Sequence, residues 1–123
     1  MQAANNHKGV GRVTAEHVTS YNDPIIMHAN EELTLSDRED NWHGWTWIWC
    51  TNEAGKSGWV PKDYVERHAD KGIARYDYDA IELTVHVGEE VLVAQFESGW
   101  LWCSNQQGCS GWVPAENIAM LPQ

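Results

Sequence analysis

The residues that could hold a metal ion or move a proton are six histidines, three cysteines and eighteen carboxylates. Their spacing argues against both. His7, His17, His28, His43, His68 and His86 are scattered, and none stands at a metal-ligand spacing from a cysteine or carboxylate. His28 and His86 fall at equivalent places in the repeat described below, which gives them a turn or packing role. There is no phosphate-binding glycine loop and no nucleophile elbow. The carboxylates lie in polar turns and edges, where a solvated surface explains them. No catalysis, metal or cofactor is expected.

The side chains left to do work are aromatic: eight tryptophans and four tyrosines. The tryptophans come in a duplicated block. Trp47–Pro61 recurs as Trp100–Pro114 without a gap, and ten of the fifteen positions are identical. Duplication of this length means a folding unit used twice. Each buried aromatic removes a large area from water, which is what small units with little core need.

The elements that position these rings read as strands. No segment keeps a helical apolar period for three turns, and β-branched and aromatic residues dominate. Glu31–Leu35 matches Glu89–Val93, and each leads through a polar loop, 36–46 or 94–99, into Trp-x-Trp-Cys. Gly55 and Gly108 stand where a hairpin needs a left-handed residue, and Gly58 and Gly111 predict a bulge or close backbone approach. Pro61 and Pro114 end their strands. The pattern predicts an all-β fold of two small five-stranded barrels in tandem. The expected divisions are a loose tail at 1–11, a barrel at 12–65, a charged connector at 66–71 and a second barrel at 72–121.

The net charge of −10 disfavours nucleic acid as a partner. It suits a basic or neutral partner, and equally it suits simple solubility. No stretch reaches the apolar length of a membrane span, and the N-terminal residues lack the apolar core of an export signal, so a cytoplasmic location is expected. Cys50 and Cys103, at equivalent repeat positions, are expected to fill the two cores. Cys109 is extra, and a Cys103–Cys109 bridge across one hairpin is conceivable.

The second unit resembles the SH3 domain. Ala74-Arg75-Tyr76-Asp77-Tyr78-Asp79-Ala80 is similar to the family's opening signature. Glu82-Leu83-Thr84-Val85, Gly88-Glu89-Glu90-Val91, Glu97-Ser98-Gly99-Trp100 and Gly111-Trp112-Val113-Pro114 follow in the family's order. The resemblance implies a groove of aromatic rings for a proline-rich segment in a polyproline helix, which is already ordered and so loses little entropy on binding. It implies that Tyr76, Tyr78, Trp100 and Pro114 line this groove, and that Asp79, Glu82 and Glu97 pair with a basic residue of the ligand. Asn117 stands where the family has a tyrosine, and the loop between Ala80 and Leu83 is short. The first unit keeps Trp47, Pro61 and Tyr64, but in place of the tyrosine pair it has Glu16-His17-Val18-Thr19-Ser20-Tyr21.

Asp37, Glu39, Asp40, Trp42, His43 and Trp45 lengthen the first unit's loop. They either enlarge the binding edge or pack against the other barrel. Trp49 and Trp102 are expected in the barrel walls, and Trp59 and Trp112 in packing. Because each groove lacks what the other has, the two could pool their halves into one site. The expected function is peptide binding, with two alternatives open: an oligomerising protein whose rings are used in packing, and a module for a small ligand or cell-wall peptide. The oligomeric state is left open.

Overall fold

In a computed structural model, which describes residues 9–19 and 23–122, the duplicated block folds as two matching hairpins. In chain order the strands are β1 (Gly9–Val13), β2 (Ile26–Met27), β3 (Glu32–Trp42), β4 (Trp45–Thr51), β5 (Ser57–Pro61), β6 (Val65–His68), β7 (Lys71–Ala74), β8 (Tyr78–Asp79), β9 (Glu90–Glu97), β10 (Trp100–Ser104), β11 (Ser110–Pro114) and β12 (Ile118–Met120). A 3-10 turn follows β5 at Lys62–Tyr64 and another follows β11 at Ala115–Asn117. The architecture is all-β, in two small SH3-like barrels.

Period-two alternation decides which side chains enter each core. In β4, Ile48 and Cys50 are buried, while Trp47 and Trp49 face the other way. Ile25, Met27, Leu33, Leu35, Ile48, Val60 and Val65 fill one core. Val13, Leu83, Val85, Val91, Val93, Leu101, Val113 and Ile118 fill the other with Cys103. Each such side chain contributes about 1.5–3 kcal/mol by leaving water. All three cysteines are free, so the bridge considered between Cys103 and Cys109 does not form. Burial pushes the Cys50 and Cys103 thiols up to about 12, with the Glu31 carboxylate adding to the effect at Cys50.

The turns follow the expected chemistry. Gly55 and Gly108 have φ of 86° and 85°. Asn52 Oδ1 accepts from Lys56 N–H, and Asn105 Oδ1 from Cys109 N–H, each at 2.9 Å. A Cβ on Gly58 would lie 2.8 Å from Ile25 Cγ2, and one on Gly111 would lie 2.7 Å from the Glu82 carbonyl carbon. Both glycines therefore mark close approach. Trp49 pairs across strands with Trp59, and Trp102 with Trp112, with rings 5.3 and 5.2 Å apart and edge to face. Arg38 lies over both members of the first pair, 4.7 and 5.3 Å from the ring centres.

The structure departs from the expected boundaries in three places. First, Gly9–Val13 is a strand, so the expected tail at 1–11 ends within β1; its first eight residues lie outside the described residues. Second, most of the expected 36–46 loop is hairpin. Strands β3 and β4 run to Trp42 and Trp45, around His43 and Gly44 with φ of 50° and 86°. Two consecutive positive φ angles match the right-handed twist of the flanking strands, which lets a two-residue turn close them.

The third departure concerns chain connectivity. The barrels are not the contiguous stretches 12–65 and 72–121. One compact unit is Asn22–Ile81, and the other joins the N-terminal segment through Tyr21 to Glu82–Gln123. In the central barrel the sheet order is β5-β4-β3-β7-β6, with β2 paired to β8. In the terminal barrel the order is β11-β10-β9-β1-β12. Each first strand thus sits in the barrel built from the other repeat. The local cause is the expected connector 66–71. Instead of linking two domains, it folds into the β6–β7 hairpin, with His68 opposite Lys71 around Ala69 and Asp70. A two-residue turn closes the smallest loop open to these strands, so little chain entropy opposes it.

Candidate functional site

Strand β7 brings its own continuation with it. Tyr76 and Tyr78 follow β7 directly, and the backbone is fixed on both sides. Arg75 N–H donates to Tyr64 O at 2.8 Å, and Asp77 Oδ1 accepts from Ala29 N–H at 2.9 Å. Tyr64 stands in the 3-10 turn after β5. Its ring lies 5.0 Å from that of Tyr76 and 5.5 Å from that of Tyr78, edge-on to each. Tyr78 is 8 % exposed and belongs to the floor, whereas Tyr76 is 55 % exposed. Trp47, partly exposed on β4, stands opposite Pro61 on β5. The tyrosine pair and the Trp47–Tyr64 set, assigned from the sequence to different barrels, therefore lie in one.

Carboxylates flank this set. Asp40 on β3 stands opposite Trp47 on β4, and the neighbouring Glu39 is held by Lys62 at 3.1 Å. Asp79 Oδ1 accepts from Ile81 N–H at 2.9 Å. Trp42 is at the hairpin tip, opposite Trp45 and with its ring 4.2 Å from that of His43. Pro61 and Pro114, expected to line grooves, are both buried. Each ends its strand.

The terminal barrel offers a different surface around Trp100. His17 occupies the position that Tyr78 holds in the central barrel: it bridges to Val85 as Tyr78 pairs with Met27. Its Nε2 is 2.9 Å from Glu82 Oε1, both side chains are largely buried, and its ring lies edge-on to Trp100 at 5.6 Å. Asn117 Nδ2 donates to Glu16 O at 3.2 Å, and Glu97 Oε2 accepts from Ser98 Oγ at 2.7 Å. Glu82, Glu97, Trp100 and Asn117 thus share a barrel with His17, and not with Tyr76, Tyr78 and Asp79. His17 was legible only as a replacement for a tyrosine. Its role here comes from Glu82, which is distant in sequence. Tyr21, the aromatic residue nearest that position in the sequence, lies outside the described residues.

Elsewhere in the terminal barrel, a polar cleft of about 780 Å³ is lined by Thr84, His86, Glu89, Glu90 and Gln106, among others. Glu89 Oε1 accepts from His86 N–H, and Glu90 pairs with Arg12. Among the described residues, no group of three or more His, Cys, Asp or Glu could hold a metal ion. No helix of the described residues is long and apolar enough to cross a membrane.

The comparisons bear on the first repeat. Residues 10–67 match the family model of the variant SH3 domain, so this stretch is similar to that family. No curated protein and no solved structure matches the chain.

Proposed function

We propose that the protein is a non-catalytic interaction module, and that its groove is the set Tyr64, Tyr76, Tyr78 and Trp47 in the central barrel. The observation that carries this reading is the tyrosine cluster, with Tyr64 within 5.0 and 5.5 Å of Tyr76 and Tyr78, in the same barrel as a partly exposed Trp47. Flat rings held in this way suit the faces of prolines in a polyproline helix, which binds with little loss of entropy because it is already extended. Asp40 beside Trp47 favours a basic residue flanking the prolines. The partner is a protein segment that is proline-rich and carries basic groups. The protein's net charge of −10 supports such a partner and counts against nucleic acid. A cytoplasmic location belongs to the same proposal, and three free thiols fit a reducing compartment.

The test is a titration of the full chain with a proline-rich peptide carrying one or two arginines, followed by tryptophan fluorescence. Tyr76→Ala should weaken binding by about tenfold. No spectral response to such peptides, with the protein folded, would overturn the reading.

A further inference from the structure

The two slots that receive the first strands are built alike. In the terminal barrel, Gly11 stands opposite Val91, and Val13 N–H donates to Glu89 O at 2.9 Å. In the central barrel, Gly72 stands opposite Leu33, and Ala74 N–H donates to Glu31 O, also at 2.9 Å. Gly88 N–H donates to Val13 O, as Asn30 N–H donates to Ala74 O. Each slot demands a glycine at the same place. A Cβ on Gly11 would collide with Ile118 and one on Gly72 with Val65, and these two residues stand opposite Val13 and Ala74 respectively. Either strand therefore meets the glycine and backbone requirements of either slot, although the buried Val13 and Ala74 differ in size. The family match at 10–67 runs contiguously through β1 to β6 and so includes a first strand that the structure places in the other barrel.

What separates the two arrangements is the turn between β6 and β7. Ala69 takes a φ of 61° there, and Leu35 N–H donates to Asp70 O at 2.8 Å. Three extended Cα steps span only about 11 Å, so Lys71 cannot travel far from His68. We propose that the two-residue turn at Ala69–Asp70 decides which first strand enters which barrel, and so which groove receives Tyr76 and Tyr78. With the short turn, β7 enters beside β6 and carries the tyrosine pair to Tyr64 and Trp47. With the turn opened, β1 enters beside β6 and β3 and brings Ala15 and His17 instead. Strand β7 then enters beside β9 and β12 and delivers the tyrosines to Trp100 and Asn117. The identity of the binding groove rests on the function proposed above. The choice of strand does not, and it can be read without any ligand.

A competition between crosslinks reads it directly. Thr34 stands opposite Lys71 in the structure, and it would stand opposite Val10 in the alternative, because Val10 and Lys71 occupy equivalent places against Leu92 and Thr34. The full chain would carry Val10→Cys, Thr34→Cys and Lys71→Cys, with exposed Cys109 replaced by Ser. A second version would add a helical spacer of three Glu-Ala-Ala-Ala-Lys repeats between Ala69 and Asp70, holding those ends roughly 20 Å apart. After mild oxidation and digestion of the monomeric fraction, peptide mapping gives the ratio of 34–71 to 10–34 links. The 34–71 link should dominate without the spacer, and the ratio should fall by roughly tenfold or more with it. A dominant 10–34 link without the spacer would overturn the proposal. So would an unchanged ratio with the spacer, or loss of both links, since the turn would then be holding the fold together rather than choosing a strand. If the links shift while no proline-rich peptide binds either version, only the proposed function fails.

Discussion

Replacing Tyr76 by Ala tests whether the tyrosine pair works with Tyr64, as the central barrel places it, or with Trp100, as chain order suggests. Tyr76 is 55 % exposed, so truncation removes little buried area, and the burial part of its cost should be less than about 1 kcal/mol. Its ring contact with Tyr64 at 5.0 Å is of the kind worth about 0.5–1.5 kcal/mol beyond burial. A double-mutant cycle of Tyr64→Ala and Tyr76→Ala, read by urea unfolding, should therefore give a coupling of about 1 kcal/mol. The cycle of Tyr76→Ala with Trp100→Ala should be additive within about 0.5 kcal/mol, because those residues belong to separate units. In peptide titrations, Tyr64→Ala and Tyr76→Ala should each weaken binding by about 1–2 kcal/mol, roughly fivefold to thirtyfold, with Trp100→Ala near neutral. The reasoning is refuted if Tyr76 couples to Trp100 and not to Tyr64 in the unfolding cycles, an outcome that needs no ligand to observe.

Two further outcomes follow from the cores. The Cys50 and Cys103 thiols are raised to about 12 in the folded chain, whereas in the unfolded chain they titrate near 9. Their contribution is fully present below pH 9 and is lost as pH rises toward 12, because only the unfolded form then gives up the proton. The loss should be on the order of 1.4 kcal/mol per pH unit for each barrel. Urea midpoints between pH 8 and 11 measure it, and Cys50→Ala should flatten the central barrel's share. Gly111→Ala should destabilise the terminal barrel by about 1–3 kcal/mol, since its Cβ would meet Glu82 and Leu83 backbone; a thermal melt that is unchanged or raised would contradict this.

The sequence made the barrel legible and hid its connectivity, for one physical reason. Strands announce themselves through local pattern: the alternation of Ile48 and Cys50 with Trp47 and Trp49, the turn glycines Gly55 and Gly108, and the strand-ending prolines. Pairing between distant strands leaves no such mark. Val10-Gly11-Arg12-Val13 and Lys71-Gly72-Ile73-Ala74 carry the same small residue at the same place, so pattern alone assigns each to its neighbour in the chain. The charged run at 66–71 reads as a connector because Glu66, Arg67, His68 and Lys71 are polar. They are polar because these positions face solvent in a hairpin. The 36–46 segment was hidden in the same way, its charges being those of exposed strand positions beside the buried Leu33 and Leu35. At the site, Tyr64, Tyr76, Tyr78 and Trp47 were all recognisable as ring candidates, and what the sequence could not supply was which of them meet.

That missing step changes the functional reading. Neither contiguous repeat contains a full aromatic set. The stretch 12–65 has Trp47 and Tyr64 but only His17 where the central barrel has Tyr78. The stretch 72–121 has Tyr76 and Tyr78 but Asn117 in place of a third tyrosine. Two contiguous barrels would yield two grooves, each lacking a wall. Exchange of the first strands concentrates the rings instead. The central barrel gains two tyrosines and so holds three with a tryptophan, and the terminal barrel keeps Trp100 with a largely buried His17–Glu82 pair. A repeat whose copies have diverged in this complementary way makes little sense as two equal binding modules. Under the proposed function it makes sense as one groove in the central barrel, and the short β6–β7 turn is the element that makes the difference.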